Sequence, residues 1–285
     1  MMQQRSLRTL DEYPRGLFLW IIINQINFDS ETGSTLLTER EGATVDEANL
    51  RDVLKHFEID LRVWKDLTLN ELRRSLNRLY YEIDSDHDKY AGLVFLCMSH
   101  GKQIEGKDFL LTKDNKYLSC EKIVDIFHNC FCFGLKNRPK FYLFNCCRGV
   151  QLNAEIQKLS ISSPIVFDDD IIAFDHIQSS AANTIGNNDY VLQEDGGVVG
   201  FKKGDYVIVH STIKDYLSMR HKENGSIFVY ELSQQLHRLA AKQEGNLEDI
   251  VRQACMSTSK QLPVSQLPEM TTTLRAPCHL VIKGS

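Results

Sequence analysis

The sequence predicts an α/β fold in which a mostly parallel sheet is covered by helices on both faces. Three observations carry this: runs that are apolar at every position, amphipathic helical stretches between those runs, and chemistry-bearing residues directly after two of them. A strand that is apolar on both sides needs cover on both sides, and crossover helices supply it.

The first run, LFLWIII (17–23), is read as a buried strand. TVDEANLRDVLKHFEI (44–59) places Val45, Ala48, Leu50, Val53, Leu54 and Phe57 at helical spacing, with Thr44 or Asp46 as the cap. IDLRVWKD (59–66) reads as a second strand and LTLNELRRSLNRLYYEI (67–83) as a second amphipathic helix. AGLVFLCMS (91–99) is again continuously apolar, CEKIVDIFHNC (120–130) is helical, and PKFYLFNC (139–146) is a further buried strand. From about 151 to 204 no period is sustained, and Ser, Asn, Asp and Gly dominate. An irregular segment far beyond roughly 15 residues is usually functional or disordered. The pattern then resumes with strand DYVIVHS (205–211), helices SIFVYELSQQLHRLAAKQ (226–243) and LEDIVRQACMST (247–258), and strand-like MTTTLR (270–275) and HLVIK (279–283).

Composition narrows the function classes. A chain of 285 residues with 42% hydrophobic and 25% charged residues is ordinary globular material, enough for one large domain or two small ones. A net charge of -5 with scattered basic residues argues against nucleic acid. No apolar stretch approaches the roughly 18 residues of a membrane span, and MMQQRSLRTLDEYPRG lacks the apolar middle of a secretory signal. The eight cysteines are therefore expected as free thiols in a reducing cytoplasm. His128, Cys130 and Cys132 lie close together, but without a C-x-x-C pair or a second half-site no metal is expected.

Chemistry in such sheets sits outside the carboxyl ends of the strands. His100 follows one apolar run and Cys146-Cys147 the next, in CMSHG and FYLFNCCRGV. A thiol with a pKa near 8.5 is only a few per cent ionised at neutral pH, so a catalytic cysteine needs a nearby base. Adjacent strand ends bring together residues 47 positions apart, and a glycine beside the histidine leaves its backbone N–H open to approach. That N–H and the one of Cys147 suit an oxyanion hole. Taken singly, a cysteine and a histidine in apolar surroundings fit core packing as well.

The combination resembles the caspase family, in which a histidine-glycine turn precedes a Q-A-C-R-G stretch; here the two are SHG and NCCRG. The resemblance runs from about Gly16 to Lys283. LFLWIIINQINFDSETGSTLLTEREGATVDEANL is similar to the first strand, loop and helix of caspases, and YVIVHSTIKDYLSMRHKENGSIFVYEL to the start of their small subunit. It implies a caspase-like three-layer sandwich with about six strands, and one domain divided into a flexible N-terminal segment (1–15), a large-subunit region (16–150), an intersubunit linker (151–204) and a small-subunit region (205–285). By the same resemblance Cys147 is the nucleophile, Cys146 a small buried residue, His100 the base, Gly101 and Cys147 the oxyanion donors, and the Thr38 carbonyl the group that orients the imidazole. Arg40, Asn145, Arg220, Ser218 and Met219 would bind substrate.

Two guanidinium forks are what an aspartate pocket requires, because they make paired, charge-assisted bonds to a carboxylate. The implied activity is a cysteine endopeptidase cleaving after aspartate in apoptosis or related proteolytic signalling, with no metal or organic cofactor. Linker cleavage would fall after Asp195, in LQED-GG, or after Asp175, in IAFD-H. The strand near 269–275 would pair across a two-fold axis, giving a homodimer or a heterodimer with a related caspase. Inhibitor-of-apoptosis proteins are a further implied partner. Three departures support a second expectation, a weakly active regulator that modulates an active relative: Asn145 replaces glutamine, Glu41 follows Arg40, and Met219 replaces an aromatic residue.

Overall fold

The computed structural model describes residues 12–29, 40–149, 190–192, 198–201, 204–221, 223–242, 245–261 and 266–284, with backbone alone for 190–192 and 198–201. Its centre is a six-stranded sheet built from β1 (Phe18–Asn24), β2 (Ile59–Lys65), β3 (Gly92–Met98), β7 (Lys140–Asn145), β10 (Tyr206–His210) and β13 (Glu269–Thr272). The strand order is β13-β10-β7-β3-β1-β2. All pairs are parallel except β10 with β13. This is the expected sandwich, with one antiparallel edge.

Period-two alternation explains why the strands are apolar throughout. In β1, Phe18, Trp20 and Ile22 enter one core with α1 (Ala43–Leu54), α4 (Ile227–Lys242) and α5 (Leu247–Thr258). Leu19, Ile21 and Ile23 enter the other, against α2 (Leu69–Ser85) and α3 (Cys120–Ile126). Both sides of one strand are thus removed from water, each buried large side chain contributing roughly 1.5–3 kcal/mol. Helix α2 starts with a reciprocal cap between Thr68 and Glu71, and the Asn246 side chain accepts the Glu248 N–H at the start of α5.

Three readings need correction. The first helix ends at Leu54 rather than 59, because Phe57 is drawn into the core and the chain turns there through His56 N–H to Val53 O and Phe57 N–H to Leu54 O. Its N-cap is Gly42, and Asp46 caps nothing. HLVIK makes a single bridge, Ile282 with Phe57; its Leu280 and the neighbouring Cys278 fill the core instead of extending a ladder.

Several elements had no sequence signature. A three-stranded antiparallel sheet of β4 (Gly101–Ile104), β5 (Lys107–Leu111) and β6 (Tyr117–Ser119) follows His100. Its first turn needs positive φ at both central residues, Glu105 (50°) and Gly106 (78°). A short 3-10 turn spans Phe133–Leu135. Within the segment read as patternless, β8 (Tyr190–Leu192) pairs with β9 (Val198–Phe201). A last small ladder joins β11 (Arg220–His221) to β12 (Gly225–Ser226). Near the N-terminus Tyr13 is buried: its hydroxyl donates to Asp205 Oδ1 at 2.5 Å and its N–H to Pro277 O at 3.0 Å. Among the described residues no helix is long and apolar enough to cross a membrane.

Candidate active site

Strands β3 and β7 lie side by side with Met98 opposite Asn145, so the residues that follow each strand emerge together. The Ser99 N–H reaches Asn145 O at 3.4 Å. Gly101 then packs directly on the cysteine pair: a Cβ there would lie 2.6 Å from Cys147 O and 2.7 Å from Cys146 Cβ. Only glycine fits, which gives the histidine-glycine turn a steric cause. Gly101→Ala is expected to cost about 1–3 kcal/mol through overpacking and to lower turnover; denaturant melts paired with peptidase assays would check both. The half-buried His100 ring packs on Phe28 with centroids 5.0 Å apart, and its carbonyl accepts the Leu111 N–H at 3.0 Å. Thr38, Asp175 and Asp195 lie outside the described residues.

Cys146 is buried and Cys147 half-buried, and all eight cysteines are free thiols. Burial raises the Cys147 thiol above its ordinary value, while the Ser218 amide, Arg220 and Arg40 pull it down. Ser218 N lies 3.4 Å from Cys147 Sγ. The Ser218 hydroxyl donates to Asn145 Oδ1 at 3.2 Å and receives the Ser211 hydroxyl at 2.8 Å. Met219 donates its N–H to Gln266 Oε1 at 2.6 Å, and Gln266 Nε2 returns to Ser211 O at 2.6 Å. The segment 218–220 is thereby pinned against both the sulfur and Asn145.

Both arginines share the sulfur's electrostatic neighbourhood. Arg40 is only 2% exposed, and its Nη1 donates to Gln25 O at 2.7 Å and Asn24 Oδ1 at 3.3 Å. Its Nε is buried without a hydrogen-bond partner among the described residues. Burial first and Arg220 second lower the Arg40 pKa to about 9, while Asp46, Cys147 and Cys146 oppose that shift. Arg220, half-buried on β11, is also lowered by burial, with Asp46, Cys147 and Glu41 acting the other way. Glu41, one of the three departures from the family pattern, thus supports the charge of Arg220.

The rest of the cysteine motif is structural. Arg148 is buried, grips Asp108 with Nε and Nη2 at 2.9 and 2.8 Å, and pairs with Glu269 through Nη1. A Cβ on Gly149 would meet the Asp215 backbone at 2.3 Å. His210, whose Nε2 lies 3.7 Å from Asp108, lines a separate cleft of about 420 Å³ with Cys120, Glu121 and Asp125. Burial, then Arg148, lower its pKa from 6.5 to about 4. Above pH 6.5 both the folded and unfolded imidazoles are neutral; between 6.5 and 4 only the unfolded chain binds the proton. Stability should therefore fall on acidification through that window, by up to about 3 kcal/mol, and urea midpoints at pH 7 and pH 4.5 would measure it.

Sequence reasoning missed Asn24, Gln25, Asp46, Ser226 and Gln266. Their roles depend on partners far along the chain, as with Ser226 and Asp46, which are separated by 180 positions.

With this geometry in view, comparison with known proteins is decisive. The family model described as Caspase domain matches residues 19–279. The chain belongs to the caspase family. It is similar to Caspase-3 of Bos taurus, 28% identical over 233 residues, covering 82% of this chain and 70% of the relative. Caspase-3 of Felis catus is 28% identical, with 82% and 69% covered. Caspase-3 of Mus musculus is 27% identical, with the same shares. As a caspase-family chain it falls in the cysteine peptidase class, and its cysteine and histidine stretches stand at adjacent strand ends.

Proposed function

We propose that the chain is a cysteine endopeptidase that cleaves proteins after aspartate, acting in apoptosis or related signalling in the cytoplasm. The observation that carries this is the buried Arg40 guanidinium, which among the described residues bonds only to neutral oxygens and leaves Nε unmatched, beside Arg220 and the Cys147 sulfur. A carboxylate is the group that would complete those bonds.

Cys147 Sγ attacks the scissile carbonyl carbon, and the thiol proton passes to His100. The oxyanion is held by the N–H groups of Gly101 and Cys147. His100 then gives the proton to the leaving amine, and the C–N bond breaks to leave a thioester. Water, deprotonated by His100, attacks the thioester and releases the acid and the thiol. Arg40, Arg220 and Asn145 hold the aspartate, with Ser218 and Met219 along the peptide. Thr38 steadies the imidazole, and cutting after Asp195 or Asp175 frees the loops.

Strand β13 ends the sheet order among the described residues, a position suited to isologous pairing with a second copy or a related caspase. Inhibitor-of-apoptosis proteins are a further proposed partner. A second reading, a weakly active regulator of a related caspase, is favoured by the Ser218 amide resting on the sulfur and by the raised Cys147 thiol.

Fluorogenic tetrapeptides ending in aspartate, asparagine or glutamate, offered to the linker-nicked dimer, test the first reading. Aspartate should be preferred over asparagine by at least about 100-fold, from the loss of a charge partner for buried cations. Equal rates for the three would end the aspartate reading, and no turnover at all would favour the regulator.

A further inference from the structure

We propose that Asp46 is the resting counterion of the substrate pocket, a buried carboxylate that balances one of the two guanidinium charges and ties the hairpin of Arg220 to the helix that follows Arg40. The inference rests on the pocket assignment above and adds how that pocket is held at the charge of a single bound carboxylate.

Asp46 lies in the first turn of α1 and is fully buried. Its Oδ1 accepts the Ser226 N–H at 2.7 Å and its Oδ2 the Ser226 hydroxyl at 2.7 Å. Gly225 passes so close that a Cβ would lie 2.2 Å from Asp46 Oδ1, and its φ of +79° is one that side chains other than glycine's rarely adopt. Ser226 is the register partner of Arg220 across the β11–β12 ladder. One carboxylate therefore grips the strand opposite the second arginine from the helix that begins three residues after the first.

The charges make the position necessary. A buried and a half-buried guanidinium group near each other repel, and among the described residues Arg40 bonds only to the neutral Asn24 side chain and Gln25 carbonyl. Asp46 is the largest influence sustaining the charge of each: it heads the opposing causes for Arg40 and for Arg220. Burial raises the Asp46 carboxyl, while both Ser226 bonds and both arginines lower it. Apart from Glu41, which is exposed to water and also acts on Arg220, two cations and one buried anion leave a single net positive charge, which one aspartate side chain neutralises. Without Asp46 the empty pocket would hold two cations with no buried counter-charge among the described residues, in a low-dielectric site.

A stability cycle in the Cys147→Ala chain, which cannot cut itself, tests this. Asp46→Asn keeps the shape and offers Ser226 both an acceptor and a donor, so it removes mainly charge. It should lower the melting temperature by about 5 °C or more. Adding Arg220→Gln removes the surplus cation, so the double variant should melt above Asp46→Asn alone. Additive losses would overturn the counterion role and leave Asp46 as a hairpin tie. If Asp46→Asn alone does not fold, a folded double variant supports the inference, and an unfolded one overturns it.

The substrate reading is tested separately, by titrating the Cys147→Ala parent with capped tetrapeptide amides ending in aspartate or asparagine. A parent that binds both alike removes the aspartate pocket, while the stability cycle still decides whether Asp46 balances the two arginines.

Discussion

Cys147→Ala should lower kcat/KM on aspartyl peptides by at least about 10,000-fold, the scale on which nucleophile removal acts elsewhere. The melting temperature should move by no more than about 2 °C, because only a half-buried sulfur is deleted. The contrast with Cys146→Ala makes the experiment sharp. Cys146 is 2% exposed and belongs to the core beneath α3, so truncating it should act on packing and leave most turnover intact. Peptidase assays and thermal melts on the two variants would separate these effects. Equal activity losses for both thiols would dismiss Cys147 as the distinct nucleophile. Burial raises the Cys147 thiol, so attack by this sulfur calls for a base to take its proton, the role proposed for His100.

Arg148→Ala is the largest stability loss expected, about 3–5 kcal/mol, the range for removing one partner of a buried ion pair. Three parts of the molecule meet at this side chain: β5 through Asp108, the β13 edge through Glu269, and the Thr212 carbonyl, which accepts from Nη1 at 3.3 Å. Its backbone N–H is also bonded to Tyr216 O at 3.0 Å, and the substitution leaves that bond in place. The variant carries a second signature. Arg148 is the second-largest cause depressing the His210 pKa, so its removal should let that imidazole hold a proton beside Asp108 at higher pH. The stability lost between pH 6.5 and 4 should then shrink relative to the parent. Urea denaturation at both pH values would read both effects, and an unchanged midpoint at neutral pH would refute the structural role.

The layered fold was legible because continuous apolar runs have one physical meaning in a chain this size: strands covered on both faces. Within LFLWIII, Leu17 is exposed and the six residues from Phe18 to Ile23 divide alternately between the two cores, so the pattern is complete within six positions. His100, Gly101 and Cys147 were legible for a related reason, since each stands directly after such a run. Arg40 and Arg220 were different. Nothing in the chain around them separates a buried guanidinium from a solvated one, and family resemblance alone singled them out. The β4–β6 sheet escaped notice because its strands are only three to five residues long, and its first turn depends on backbone angles that Glu105 does not advertise.

By itself the sequence determined which apolar runs go inside, where strands and helices alternate, and that a thiol and an imidazole would stand at neighbouring strand ends. Those properties follow from local periodicity and from the requirement that apolar surface be buried. The tertiary structure alone decided that Arg148 is a buried clamp, that Gln266 holds Met219, and that Asp46 faces the hairpin of Arg220. The partners in these contacts stand 40 to 180 positions apart. Charge pairing over such separations leaves no periodic trace in a chain, because it arises only when folding places the groups within a few ångströms of each other.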